Sequence, residues 1–168
     1  LRWYRQMVGI SSIGDTTVVT DKWMMGTRNS FFVGIVATLL ATALGTVAAL
    51  GLSRPHMPFK AVLMAILISP MIVPLIITAA GMFFFYSKIG LTHTYLGLIL
   101  AHTALGTPFV VITVTATLTG FDTNLIRASQ SLGADTMRTF FKVIMPLILP
   151  GVISGALFAF ITSFDEVV

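Results

Sequence analysis

Residues 30–52 read SFFVGIVATLLATALGTVAALGL and contain no charged side chain. A helix needs about 20 apolar residues to cross the hydrocarbon of a bilayer, so this stretch predicts a transmembrane helix. Ala41, Gly45 and Ala49 recur every four residues within it. Their small side chains share one stripe of the helix, where a second helix can approach closely.

The composition of the whole chain also indicates a bilayer environment. Of the 168 residues, 56% are hydrophobic and only 10% are charged, and the mean hydropathy is +0.96. A soluble domain carries about a quarter charged residues. The chain has no cysteine, which excludes a disulfide framework and a thiolate metal site. Its Lys and Arg residues are scattered, so we predict lipid headgroups and not nucleic acid as their partner.

Further apolar stretches predict an all-α polytopic membrane protein with about four transmembrane helices. The second predicted span covers about 61–86, where Pro70 and Pro74 predict a kink. The third covers about 95–119 and holds Pro108, another predicted kink, and the fourth runs from about Leu147 to the end of the chain.

The N-terminal residues 1–29 differ from the rest in being mixed and polar, with Trp3, Tyr4 and Trp23 among charges. Such aromatics favour the membrane interface, so we predict an extracytoplasmic or interfacial segment there and a transmembrane domain over 30–168. The chain begins without an initiator Met and ends within an apolar stretch. We therefore expect a fragment that is truncated at both ends.

Residues 121–146, FDTNLIRASQSLGADTMRTFFKVIMP, separate the third and fourth predicted spans. Asp122 or Thr123 can cap a helix start, and Asp135 can cap another. Gly133 suits the left-handed position that ends a helix. The pattern predicts two short amphipathic helices that meet at a sharp corner. Such an elbow can act as a handle for a partner, or it can rest on lipid headgroups as an interfacial loop.

This stretch resembles the membrane subunits of bacterial binding-protein-dependent ABC importers. Their signature is Glu-Ala-Ala, three residues, Gly, nine residues, Ile, one residue, then Leu-Pro. The corresponding positions here hold Arg127-Ala128-Ser129, Gly133, Val143 and Met145-Pro146. Arg127 reverses the charge of the family's Glu. The resemblance covers about 30–168 and includes the ending Ser163-Phe164-Asp165-Glu166.

The resemblance implies a type I ABC importer permease fold with a cytoplasmic coupling helix that docks onto a separate ABC ATPase subunit. It also implies a second permease subunit, identical or homologous, a solute-binding protein, and a place in the bacterial inner membrane. Solute would pass by alternating access. The ATPase-coupling residues implied by the resemblance are Arg127, Ala128, Ser129, Gly133, Ala134 and Asp135.

No enzymatic site is predicted in the chain itself. The Gly-rich P-loop that holds ATP phosphates does not occur in the sequence, so ATP is expected on the partner and no cofactor is expected here. His56, His93 and His102 are far apart and lack a nearby carboxylate pair, so no metal site is predicted. No nucleophile–base arrangement is legible either.

Asp165 and Glu166 lie about eighteen residues into the last apolar run. A carboxylate inside a bilayer costs several kcal/mol unless it faces protein or water. Gly151, Gly155 and Ala159 form another small-residue stripe in this run. At about 100° per residue, Glu166 falls within roughly 20° of Gly155 and is expected to face the other helices. Two acids along the path would suit a cationic solute, and this ending resembles permeases for spermidine and putrescine. Alternatively, the acids lie at the far interface or pair with a partner subunit.

Two other functions stay open at this point. The first is an ion-gradient-coupled secondary transporter that uses Asp165 and Glu166 as its coupling site. It would transport without any ATPase. The second is a membrane scaffold, which would carry no solute.

Overall fold

The structure is a computed structural model that describes residues 16–54, 56–122 and 124–165. All regular elements in these ranges are helical. The α-helices are α1 (Thr16–Leu52), α2 (Lys60–Ile72), α3 (Leu75–Ile89), α4 (Tyr95–Thr119), α5 (Asn124–Ser131), α6 (Thr136–Thr139) and α7 (Met145–Asp165), with a π-helical turn at Phe140–Ile144.

Within the described residues, three helices are long and apolar enough to cross a membrane. They are Trp23–Leu52 of α1, all of α4, and a continuous helix Thr136–Asp165 that joins α6, the π-helical turn and α7. The bent pair α2 and α3 makes a fourth span if it is counted as one. The predicted all-α membrane architecture is therefore confirmed. Of the predicted segment 1–29, residues 1–15 lie outside the described residues, and from Thr16 onward the chain already belongs to α1.

Helices α1 and α4 pack through the small-residue stripe that the sequence predicts. Ala41 and Ala49 are fully buried. A Cβ added at Gly45 would lie 2.6 Å from the Cβ of Val110, closer than atoms can approach. Only glycine at this position therefore allows the two helices to come so near.

Helices α4 and α7 meet through a second stripe, formed by Gly151, Gly155 and Ala159. A Cβ at Gly155 would lie 2.8 Å from the Cα of Val110, and one at Gly106 would lie 3.0 Å from the Cβ of Ala159. Because Gly106 meets Ala159 while Val110 meets Gly155, the two helices run antiparallel. The buried core of the bundle lies between α1, α4 and α7.

The second predicted span is broken more sharply than a kinked helix. Helices α2 and α3 meet at 100°, and the break falls at Val73, which is extended (ψ 134°) in front of Pro74. A residue before proline is driven out of the helical region, so Pro74 explains the break. Pro70 stays inside α2. No described residue of α2 or α3 is buried, so the bent pair lies at the periphery.

The other predicted kink does not interrupt the chain, because α4 is one helix through Pro108. The prediction of two separate short helices in 121–146 is wrong for the second one. The segment that Asp135 caps runs on through the π-helical turn into α7. This turn lies just before Pro146, and its wider spacing accommodates a residue that lacks the N–H and crowds the preceding turn.

Candidate functional site

The corner of the elbow is built as the sequence predicts. Gly133 has φ +81°, and its N–H donates to the carbonyl of Gln130 at 2.9 Å while that of Ala134 donates to Ser129 at 3.1 Å. These bonds end α5. The Oδ1 of Asp135 then accepts the N–H of Arg138 at 2.7 Å and caps the next helix.

The start of α5 is marked by Asp122, whose Oδ1 accepts the N–H of Asn124 at 2.9 Å. Thr123, the alternative cap, lies outside the described residues. The helix α5 is therefore bounded by two defined turns, one at Asp122 and one at Gly133.

A pair of hydroxyl groups braces the two arms of the elbow. The Oγ of Ser129 in α5 lies 2.9 Å from the Oγ1 of Thr139 in α6. Ser129 already donates its proton to the carbonyl of Ile126, so Thr139 is the donor between the two hydroxyls. Thr139 is 2% exposed. The corner angle is therefore held by a buried side-chain contact as well as by the backbone.

Most of the predicted coupling residues point to solvent. Arg127, Ala128, Gly133 and Asp135 are exposed, while Ser129 and Ala134 are half-buried. The structure brings them together around one corner. Ser129 braces the elbow and Asp135 caps a helix. These two residues therefore have a structural role that does not depend on a partner.

Apolar side chains flank the corner. Leu132 is 89% exposed and Met137 66% exposed, and Leu125 and Phe141 follow on the two arms. We call these four residues the elbow knob. They are accompanied by the exposed cations of Arg127, Arg138 and Lys142. Exposed apolar side chains that cluster within a polar rim are typical of a docking surface.

A cavity of about 900 Å³ opens at the other end of the bundle, between α1, α3, α4, α7 and the loop before α4. Its wall carries the aromatic rings of Phe83, Tyr86, Tyr95 and Phe164. None of its described lining residues is a lysine, arginine, aspartate or glutamate. The cavity therefore combines aromatic side chains with hydroxyl, amide and imidazole groups.

One buried polar pair lies in this wall. The Nδ1 of His102 in α4 and the Oγ of Ser163 in α7 are 2.9 Å apart, and the two residues are only 5% and 8% exposed. The pair lies one helical turn beyond the contact of Gly106 with Ala159, toward the cavity. It therefore ties the two helices together at the cavity end.

Of the two predicted pathway acids, only Asp165 lies within the described residues. Asp165, which is exposed, follows two residues after Ser163 at the end of α7. Glu166 lies outside the described residues. The described residues contain no group of three or more histidine or acidic side chains that could hold a metal ion.

The geometry can now be set beside known proteins. The family described as "Binding-protein-dependent transport system inner membrane component" matches residues 41–168, which include the bent pair, the elbow and all of α7. The chain belongs to this family. Membership confirms the resemblance seen in the sequence and the predicted permease fold.

Two relatives within this family of inner membrane components are spermidine/putrescine transport system permease proteins named PotC. The one from Haemophilus influenzae is 32% identical over 148 residues, or 88% of this chain and 58% of the relative. The one from Escherichia coli K12 is 29% identical over 148 residues, or 88% and 56%.

A third relative, the osmoprotective compounds uptake permease protein GgtD of Synechocystis, is 30% identical over 138 residues, or 82% of this chain and 46% of the relative. The chain thus spans about half the length of the curated relatives it matches.

Sequence reasoning missed the cavity and the place of His102. It treated the three histidines as scattered, which they are along the chain. The available signal was that His102 lies within an otherwise uncharged span. An ionisable side chain inside a membrane segment is a functional-site hypothesis by default.

Proposed function

We propose that the chain is the transmembrane permease subunit of an ATP-binding-cassette importer in a bacterial inner membrane. The observation that carries the proposal is the elbow, a braced corner with an apolar knob on its surface. It stands between α4 and α7, two helices that pack against each other in the bundle. A separate ABC ATPase would grip the knob at the cytoplasmic face.

The continuous helix Thr136–Asp165 supports this mechanism. It has 30 residues, so it extends about 45 Å from the elbow to the cavity. A displacement of the elbow would therefore reach Ser163 through one continuous helix. Alternating access needs such a connection between the ATPase side and the solute side.

Three partners follow from the proposal. The first is the ATPase, since the sequence has no P-loop of its own. The second is another permease subunit, identical or homologous, and the third is a binding protein that delivers solute. The exposed apolar faces of α2 and α3, with Ile72 74% and Ile76 83% exposed, leave surface for lipid and for the second permease.

We propose a polyamine such as spermidine or putrescine as the solute. Relatives named for that solute support this choice, and so does the cavity, because aromatic faces attract organic cations. Asp165 and Glu166 would add negative charge to the pathway. Because another relative, GgtD, is named for osmoprotective compounds, uptake of an osmoprotectant is the comparison for uptake of a polyamine.

Co-purification with the ATPase tests the coupling surface. We expect the ATPase to be retained by the wild-type subunit and lost when Gly133 is replaced by valine, since a β-branched residue is strained at φ +81°. Gly120→Ala is the matched control, because Gly120 ends α4 with negative φ and an added Cβ meets nothing closer than 3.8 Å.

Uptake into proteoliposomes separates the proposal from its rivals. ATP-dependent uptake of a polyamine that requires the ATPase supports the importer. Uptake driven by an ion gradient without the ATPase would support a secondary transporter. If no solute-dependent flux is seen under either condition, the result would support the membrane scaffold.

A further inference from the structure

The wall of the cavity holds a histidine with one engaged nitrogen. The Nδ1 of His102 is bonded to Ser163, and no second hydrogen bond of the ring occurs within the described chain. Both residues line the cavity. Nε2 is therefore the ring nitrogen that remains for a molecule inside the cavity.

We propose that His102 contacts the solute directly, with Nε2 accepting a hydrogen bond from an ammonium group, and that Ser163 positions the ring for this contact. The inference deepens the proposed function and rests on it. It assigns to α4 a solute-binding residue in addition to the predicted pathway acids Asp165 and Glu166.

The chemistry of the wall favours an amine over an anion. The described lining residues include no lysine or arginine that would attract an anion. The lining also includes Phe83, Tyr86, Tyr95 and Phe164, and the face of an aromatic ring attracts a cation within about 6 Å. An alkyl chain between ammonium groups would lie against the same rings.

The role of Ser163 follows from the two tautomers of neutral imidazole. If Nε2 is to accept a hydrogen bond, Nδ1 must carry the proton. The Nδ1–H then donates to the Oγ of Ser163 at 2.9 Å. The serine thus holds the ring in one orientation, and its hydroxyl can accept the Nδ1–H of the tautomer whose Nε2 receives an N–H donor.

Two substitutions separate solute contact from a structural role. His102→Asn keeps a polar atom near the position of Nδ1, so it can retain the bond to Ser163 while it loses Nε2. His102→Gln reaches the position of Nε2 but loses the bond. His56→Asn, in an exposed loop after α1, is the matched control.

The measurement is made on the transporter assembled with its ATPase and binding protein in proteoliposomes, with putrescine as solute. We expect His102→Asn to lower uptake about tenfold, the effect of one hydrogen bond to a charged group. Binding-protein-stimulated ATP hydrolysis should be unchanged. His102→Gln should retain more uptake than His102→Asn, and His56→Asn should match wild type. Wild-type uptake by His102→Asn would overturn the inference, and so would a parallel loss of uptake and hydrolysis.

A second measurement observes the ring nitrogens directly, and the His102→Asn variant assigns the His102 signal among the three histidines of the chain. Nitrogen NMR of the ¹⁵N-histidine-labelled transporter in nanodiscs reports which ring nitrogen is protonated. We expect the His102 Nε2 signal to be unprotonated and to shift when putrescine is added. A protonated Nε2 in the putrescine complex, or a signal that does not move, would overturn the inference. If wild type imports no solute with ATP, the proposed function fails first; if it imports and the His102 results are negative, only this inference fails.

Discussion

The hydroxyl groups of Ser129 and Thr139 lie 2.9 Å apart and join the two arms of the elbow. One arm continues from α4 and the other leads into α7. The contact therefore joins the two arms next to the corner at Gly133, at the end of two helices, α4 and α7, that pack side by side in the bundle. We expect a force on the corner to reach both helices only if this contact keeps the angle between the two arms fixed.

Replacing Thr139 by valine should loosen the elbow without unfolding the bundle. The change removes a buried hydroxyl that bonds Ser129 and keeps the shape of the side chain, so the cost is about 1 kcal/mol. Hydrogen exchange of the amides in α5 should speed up while that of α4 stays slow. Thr119→Val is the control, since its exposed hydroxyl bonds only its own helix at Ala116. Equal protection of α5 in both variants would contradict the bracing role.

Asp135 has two possible roles, as a helix cap and as a charged docking residue, and one substitution separates them. Serine can accept the N–H of Arg138 but carries no charge, whereas alanine can do neither. We expect Asp135→Ala to destabilise the helix start by about 1 kcal/mol and to weaken ATPase binding. Asp135→Ser should bind the ATPase nearly as wild type does. If serine binds as weakly as alanine, the carboxylate itself contacts the partner.

The contact between α4 and α7 should not tolerate a side chain at Gly155. An added Cβ would lie 2.8 Å from the Cα of Val110, and backbone atoms cannot move aside as a flexible side chain can. We expect Gly155→Leu to destabilise the bundle by about 1–3 kcal/mol or more and to lower the Tm of the purified subunit. Gly51→Ala, where nothing lies within 4 Å of the added Cβ, should leave the Tm unchanged.

The sequence predicts well where local chemistry decides the outcome. The observed bounds of α4 agree with the predicted span 95–119, because Thr94 caps its start by accepting the N–H of Gly97 and Gly120 follows its end. The stripes through Gly45 and Gly155 are predictable for the same reason. Spacing alone places small residues on one face, and a membrane bundle buries that face.

Features that depend on distant parts of the chain were not predictable. Pro74 predicts a bend, but the sequence does not predict its angle of 100°. The sequence predicts a span that begins at about Leu147, whereas the helix already runs through the π-helical turn before Pro146, which has no sequence signature. His102 and Ser163 are 61 positions apart, and only the antiparallel packing of α4 and α7 brings them together.

The acids at the end of α7 offer the last test of the solute pathway. Asp165 is exposed beside the cavity, and Glu166 is its neighbour in sequence. Their negative charge should raise the local concentration of a cation at the cavity. We expect Asp165→Asn combined with Glu166→Gln to reduce putrescine uptake severalfold, with a smaller reduction at high salt, because salt screens exposed charges. Asp122→Asn is the control: it removes a charge at the elbow end and keeps the acceptor for Asn124. Unchanged putrescine uptake in the double variant would remove both acids from the pathway and leave the aromatic wall to select the cation.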